Sequence, residues 1–338
     1  MSFKRLDQED ITISAEAIVA PAWTNQATEL VAFYTASSQV ASTSGNYYYN
    51  IYNTDPDTAG AAVQFAVAYG HRYGSGSENI NDIDGKSPSA ITYGQYRTLV
   101  NGDEDTDFTF GSITPNSVYV IAVNRSRYKE KLKPGSLNLT LTSGSTTIQL
   151  TDNSVDTTTV SYVDSGRVYD IVSGSNGTAF TGLTTTGFTE DSGSYGKFLP
   201  DVGLVILNVE ALKAPALNGG LAAIVNEDSD SADPSNLGLF YDMLELGNSF
   251  SLKSEETVSS NYVFIRVRNS EFNYSTNPSN ITGSGELRHD IMINSPQSYI
   301  TTVGLYNDNN DLLGVAKLSR PLLKDFTKEA LVRIKLDY

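Results

Sequence analysis

The chain has 338 residues, enough for two modules or one large β-rich body. Hydrophobic residues make up 39% and charged residues only 18%, which excludes a disordered chain. A formal charge of −16 disfavours general binding to nucleic acid or anionic membrane, and the absence of cysteine excludes disulfides, thiolate metal sites and cysteine nucleophiles.

The early acids Asp7, Glu9 and Asp10 stand where a signal peptide would need an apolar stretch, and no run approaches 18 apolar residues. The expectation is a soluble chain synthesised in a cytoplasm without a signal peptide. The first 45 residues, with their polar run Ala36 to Gly45, read as an extended arm or loop. Strands are predicted over Tyr47 to Tyr52 and, from the alternation of Val63, Phe65, Val67 and Tyr69, over the following apolar stretch.

Gly74 to Pro88 is a polar loop, after which Ser89 stands in the capping position of a short helix over Ile91 to Val100. A strand follows at Val118 to Val123. Beyond Pro134-Gly135, Ser136 to Ser173 shows short alternating runs broken by Ser143-Gly144 and Ser165-Gly166, the pattern of small hairpins in a sandwich or barrel. Thr178 to Tyr195 reads as an exposed loop, and Gly203 to Asn208 as an apolar strand.

Asp233-Pro234-Ser235 supplies a helix start; Leu237, Phe240, Tyr241, Leu244 and Leu246 recur at helical spacing until Gly247 ends the run. Tyr262 to Arg268 alternates again, with Val263, Ile265 and Val267 on one face. Tyr299 to Tyr306 and Leu312 to Leu318 flank Asn307-Asp308-Asn309-Asn310-Asp311, whose side chains bond locally and tolerate left-handed backbone, so a hairpin is predicted. Val332, Ile334, Leu336 and Tyr338 alternate with Arg333, Lys335 and Asp337 in a last strand.

The fold class is therefore mainly β with a few short helices (α+β), built of antiparallel sheets or sandwich-like modules, the C-terminal strand completing a sheet. The expected domains are 1–135, an N-terminal arm and β-rich module with one short helix; 136–200, a small all-β hairpin module; and 201–338, a C-terminal β-rich module with one short helix.

Signals for chemistry are sparse. His71 and His289 are far apart in sequence and neither has metal-ligand spacing, and no serine has the Gly-x-Ser-x-Gly surroundings of a nucleophile elbow. Asp103, Asp105 and Asp107 open like a calcium loop, but Phe108 stands where that loop needs glycine. No catalytic residue, cofactor or metal is expected, and the chain is read as a non-enzyme.

Charge segregation is more informative. Arg125, Arg127, Lys129, Lys131 and Lys133 stand together, and Lys317, Arg320, Lys324, Lys328, Arg333 and Lys335 form a second basic region in an otherwise acidic chain. Such segments are either solvated faces or surfaces that dock on an acidic face of a neighbouring subunit, with Tyr and Arg as anchors. The expected interface residues are Arg125, Arg127, Tyr128, Lys129, Lys131, Lys133, Tyr47, Tyr48, Tyr49, Arg333, Lys335 and Tyr338.

Tracts along the whole chain carry a family resemblance: MSFKRLDQEDITISAEAI, NYYYNIY from Asn46, VQFAVAYGHRYGSGS from Val63, RYKEKLKPG from Arg127, GRVYDIVSG from Gly166, FLPDVGLVILN from Phe198, VFIRVRNSEFNYSTNPS from Val263 and the C-terminal run from Ser298. Together they resemble virion structural proteins of large contractile-tailed phages of marine and cyanobacterial hosts. The resemblance implies a place in the virion tail, as a baseplate wedge component or else a neck or head-associated subunit. The implied partners are other virion proteins and copies of the chain itself, with no nucleic acid and no membrane. Exposed-looking aromatics and long polar loops also allow a tail component that binds host glycan.

Overall fold

The computed structural model describes residues 4–36, 48–74, 87–180, 194–213, 221, 236–275 and 277–337. The strands are β1 (Ile11–Pro21), β2 (Glu29–Leu30), β3 (Tyr48–Tyr52), β4 (Val63–His71), β5 (Ser117–Val123), β6 (Lys131–Leu132), β7 (Asn138–Ser143), β8 (Thr146–Asp152) and β9 (Ser161–Val163). They continue as β10 (Gly166–Ser175), β11 (Thr178–Ala179), β12 (Gly196–Leu199), β13 (Leu204–Asn208), β14 (Phe250–Ser251), β15 (Lys253–Val267), β16 (Gln297–Tyr306), β17 (Leu312–Asp325) and β18 (Ala330–Asp337). Four α-helices accompany them among the described residues: α1 (Pro88–Asn101), α2 (Val209–Lys213), α3 (Asn236–Gly247) and α4 (Ile291–Asn294). The chain is mainly β with antiparallel sheets, as expected from the alternation, and β18 completes a sheet.

Two compact units form, one from Met1–Ala17 with Thr257–Tyr338 and the other from Ile18–Glu256. The larger unit is organised by a curled, half-barrel sheet whose main path runs β2-β14-β7-β8-β10-β12-β13-β5-β4-β3, with β9 and β11 added beside β10. Its central strands are apolar at nearly every position because both faces are covered. On β5, Tyr119, Ile121 and Val123 join one core and Val118 and Val120 another; β13 divides Val205 and Leu207 from Leu204 and Ile206 in the same way.

Helix α3 covers the first face, stacking Phe240 on Tyr119 at 4.3 Å between ring centroids. Trp23 Nε1 donates to the Phe250 carbonyl at 2.7 Å within that core. Helix α1 covers the second face with Tyr93 and Val100. It lies close on β4 because Gly70 has no side chain: a Cβ there would sit 3.1 Å from the Tyr93 backbone nitrogen.

The expected boundaries at 135 and 200 do not mark divisions between the two units, since β5, β7 to β10, β12 and β13 share one sheet and residues 136–200 supply its middle. Local hairpin patterning cannot reveal which outside strands a hairpin will pair with. Residues 11–21, read as part of an arm, form a strand beside β15. Helix α1 begins three residues before Ile91: the Ser87 side chain accepts from the Ala90 N–H at 3.3 Å, and Pro88 fits the first helical position, where its missing donor costs nothing. Ser89 lies buried inside the first turn. Thr178 and Ala179, placed in a loop from sequence, pair with β10; most of that expected loop, and the start signal at Asp233-Pro234-Ser235, lie outside the described residues.

In the smaller unit, β15 pairs with β18 from Ser260↔Asp337 to Val267↔Ala330. Val263, Val332 and Ile334 form its core, joined by Val303, Leu305, Ala316, Leu318 and Leu322 from the β16–β17 hairpin. That hairpin is a separate two-stranded ribbon. Its turn follows the sequence reading: Asn310 has φ 65°, and the Asn307 side chain accepts from the Asp311 N–H at 2.7 Å and donates to the Asp311 carboxylate at 2.9 Å.

Candidate interaction surface

The first basic segment is held within the larger unit. Arg125 Nη1 donates to the Tyr128 carbonyl at 2.5 Å, and its guanidinium lies 4.5 Å from the Tyr128 ring centroid. Arg127 donates to the Thr24 hydroxyl. Lys129 Nζ meets Glu256 at 2.7 Å, and Lys131 meets Glu255 at 3.4 Å, directly across the β6–β15 pair. Opposite charges facing each other across strands add a modest stabilisation. Lys133 contributes its backbone N–H, which donates to the Lys253 carbonyl at 2.8 Å.

Glu255 and Glu256 lie more than a hundred positions away from the lysines they pair with, so sequence spacing could not show that the segment meets these acidic partners. Burial raises the Tyr128 phenol above its ordinary pKa, opposed by the neighbouring Arg125. Tyr128 is a core ring rather than a surface anchor, which corrects the reading from sequence. Tyr49 needs the same correction: strand alternation turns it inward against Tyr241, 6.0 Å between centroids, while Tyr48 faces outward. Tyr47 and Tyr338 lie outside the described residues.

Arg333 and Lys335 belong to the smaller unit, so the expected interface residues do not form one cluster within a unit. Both are exposed on β18, with the guanidinium 5.5 Å and the ammonium 5.9 Å from the Tyr262 ring centroid. The Asp337 carboxylate accepts from Lys335 at 3.0 Å, and this bond is the main reason the ammonium titrates above its ordinary range. Tyr262 was not singled out in the sequence, since its place opposite Lys335 is set by strand register.

The ribbon exposes several large apolar side chains. Alternation sends Val303, Leu305, Ala316 and Leu318 toward the core and leaves Leu313 70% and Val315 59% exposed; Tyr299, on the far side of the register shift between Ile300 and Thr302, is 62% exposed. Between the pairs Ile300↔Leu322 and Thr302↔Lys317, β16 contributes one residue and β17 contributes Leu318, Ser319, Arg320 and Pro321, a bulge where proline's missing donor is tolerated. At the ribbon's base Lys324, expected in a solvated basic face, is completely buried and donates to the Asn269 carbonyl, Asn273 Oδ1 and the Asp325 carbonyl at 3.0, 2.7 and 2.8 Å.

The acidic loop after α1 is occupied with its own fold. Asp103 accepts from the Asp105 N–H at 2.9 Å and the Thr106 hydroxyl at 2.6 Å, while Asp107 pairs with Arg72 at 2.5 Å and Arg97 at 3.4 Å. His71 is buried in the larger unit and accepts from the Tyr73 N–H at 3.1 Å; His289 is exposed in the smaller one.

Comparison with protein-family models, curated proteins and solved structures finds no match to the chain.

Proposed function

We propose that the chain is a non-catalytic structural subunit of a contractile-tailed phage particle, a baseplate wedge component that acts through protein–protein contacts in the virion tail. The particle class rests on the resemblance of the tracts quoted above. The observation that carries the assembly role is the β16–β17 ribbon, which presents Tyr299, Leu313 and Val315 to solvent. A two-stranded ribbon is marginal by itself, and the exposed apolar residues Leu312, Leu313 and Val315, close together on β17, suit a surface that a partner covers.

Mass spectrometry of purified particles, followed by a cryo-EM reconstruction, tests this reading. Density for the chain in a baseplate ring, with the ribbon buried against neighbouring subunits, is the expected result. Absence of the chain from purified particles would overturn it, and density in a peripheral fibre with the ribbon open to solvent would move the assignment to receptor recognition.

A further inference from the structure

The sheet of the smaller unit has two open sides. Its order is β1-β15-β18, so β15 is interior and each flanking strand pairs with β15 alone among the described residues of that unit. Each therefore presents backbone N–H and C=O groups along its outer edge, which is a template for another strand.

β1 carries little of the usual protection against pairing, whereas β18 bears the charges Arg333 and Lys335, which disfavour pairing with an edge of like sign. β1 has no proline before Pro21, no basic residue and, over residues 11–17, only Glu16 as a charge. All seven of those residues are exposed, Ile13 by 71%. On β18, Ala330, Val332 and Ile334 face the core while Leu331, Arg333 and Lys335 stand outside.

The two edges differ in sign. Residues 7–17 contain the acids Asp7, Glu9, Asp10 and Glu16 and no base, whereas residues 330–337 contain the bases Arg333 and Lys335 and the single acid Asp337. Two β1 edges brought together around a two-fold axis would set acid against acid, and two β18 edges would set base against base. A β18 edge meeting a β1 edge sets base against acid. Like charges across strands are destabilising and opposite charges stabilising, so the complementary pairing is the unlike one.

We propose that β18 of one copy pairs edge to edge with β1 of the next, joining subunits head to tail through one continuous sheet. The partner is a second copy of this chain, recognised by backbone hydrogen bonds along the strands and by Arg333 and Lys335 against Glu16 and the acids that precede it. Such a contact uses different patches on the two copies and yields a ring where the rotation closes and a filament where it does not. The inference rests on the assembly reading above and adds the partner and the surface.

The test uses the full chain in three forms: wild type, Glu16→Lys, and the double variant Arg333→Glu with Lys335→Glu. Sedimentation velocity over a wide concentration range should show the wild type associating, and each variant alone weakened by roughly tenfold or more as one attractive junction becomes repulsive. An equal mixture of the two variants should recover association, because in an alternating chain the altered β1 of one meets the acidic β18 of the other, and the junctions between them pair the native β1 with the native β18. A defect in folding does not predict that recovery, and a two-fold contact, which uses only one of the two edges, does not predict that both variants are weakened.

Hydrogen exchange of the wild type supplies an independent readout, with residues 11–17 and 330–337 gaining protection as concentration rises. A wild type that stays monomeric, or variants that associate as well as the wild type, would overturn the edge contact. Particle composition by mass spectrometry reports separately, so a chain found in virions whose edge variants still assemble would remove this inference and leave the proposed function standing.

Discussion

Lys324 Nζ and Asn273 Oδ1 lie 2.7 Å apart, tying the base of the β16–β17 ribbon to the loop that follows β15. The ammonium also reaches the Asn269 and Asp325 carbonyls, so a charged group with no exposed surface is satisfied by neutral acceptors. Burying a cation is unfavourable unless its hydrogen bonds are made.

Lys324→Met keeps most of the stem and removes all three donors, so the bonds to the part-buried Asn273 and Asp325 and to Asn269 are lost. The expected loss is about 1.5–3 kcal/mol, the usual net contribution of hydrogen bonds made by a charged group. Urea unfolding followed by tyrosine fluorescence measures it; a loss no larger than that of an exposed control lysine such as Lys317 would show that the three bonds do little.

Asp152 is fully enclosed and binds the Gly135 N–H with both oxygens, at 2.9 and 3.0 Å, and the Ser154 N–H at 3.1 Å. Burial raises its carboxyl above the ordinary range, opposed by hydrogen bonds from Ser154, Gly135 and Leu137. With the folded pKa above the unfolded one, the folded state holds the proton more tightly. Its contribution is complete below the ordinary carboxylate pKa of about 4 and declines as pH rises through the folded value.

Asp152→Asn keeps an acceptor and cannot ionise, so its stability relative to wild type should rise between about pH 4 and pH 7. Paired denaturation curves at the two pH values would expose a constant difference, which is the outcome that contradicts the assignment. Asp152→Ala strands the Gly135 and Ser154 donors and should cost about 1–3 kcal/mol.

Arg167 and Asp201 show the opposite sign. The guanidinium donates through Nε at 3.1 and 3.2 Å and through Nη2 at 2.5 Å, and the Arg167 N–H adds a bond at 2.8 Å. Desolvation pushes the Asp201 carboxyl up, but the side-chain and backbone bonds from Arg167 together hold it below its ordinary range. That stabilisation is present above the ordinary carboxylate pKa and is lost as pH falls through the lowered value. Asp201→Asn should therefore cost about 2 kcal/mol near neutrality, from the loss of a charge-assisted bidentate pair. The gap to wild type should narrow on acidification, and an acid-insensitive gap would assign the loss to packing instead. Gly166 has φ +119°, and a Cβ there would lie 2.6 Å from Asp201 Oδ2, so Gly166→Ala should disrupt the same pair.

Elements written in local alternation were legible in the sequence, and those fixed by distant pairing were not. The turn Asn307–Asp311 specifies itself, because its own side chains make the bonds that close it. Val263, Val267, Val332 and Ile334 announce their buried face by spacing alone. The residues 11–17 do alternate, yet their polar partners and total exposure resemble a solvated arm, and only the presence of β15 beside them makes a strand. Lys324 sits among basic residues that read as one surface, and its burial depends on Asn269 and Asn273 folding over it. Glu255 and Glu256 neutralise Lys131 and Lys129 across more than a hundred residues, a distance over which no local pattern carries information.

The exposed side of the ribbon separates folding from assembly. Leu313 and Val315 make no contribution to the small core, which takes Leu305 and Ala316 from alternate positions. Leu313→Glu and Val315→Lys should therefore leave unfolding free energy within about 0.5 kcal/mol of wild type, as exposed substitutions usually do. If the ribbon is covered by a neighbour in the particle, the same substitutions place charges in an apolar contact, where an unpaired charge is strongly unfavourable. On the proposed role in a phage particle, complementation of a phage lacking the chain should then yield folded protein that fails to enter particles, read as its loss from purified virions with normal amounts in the lysate. Normal incorporation of both variants would mean that the apolar side of the ribbon faces solvent in the particle as well, and the assembly contacts would have to lie on other surfaces.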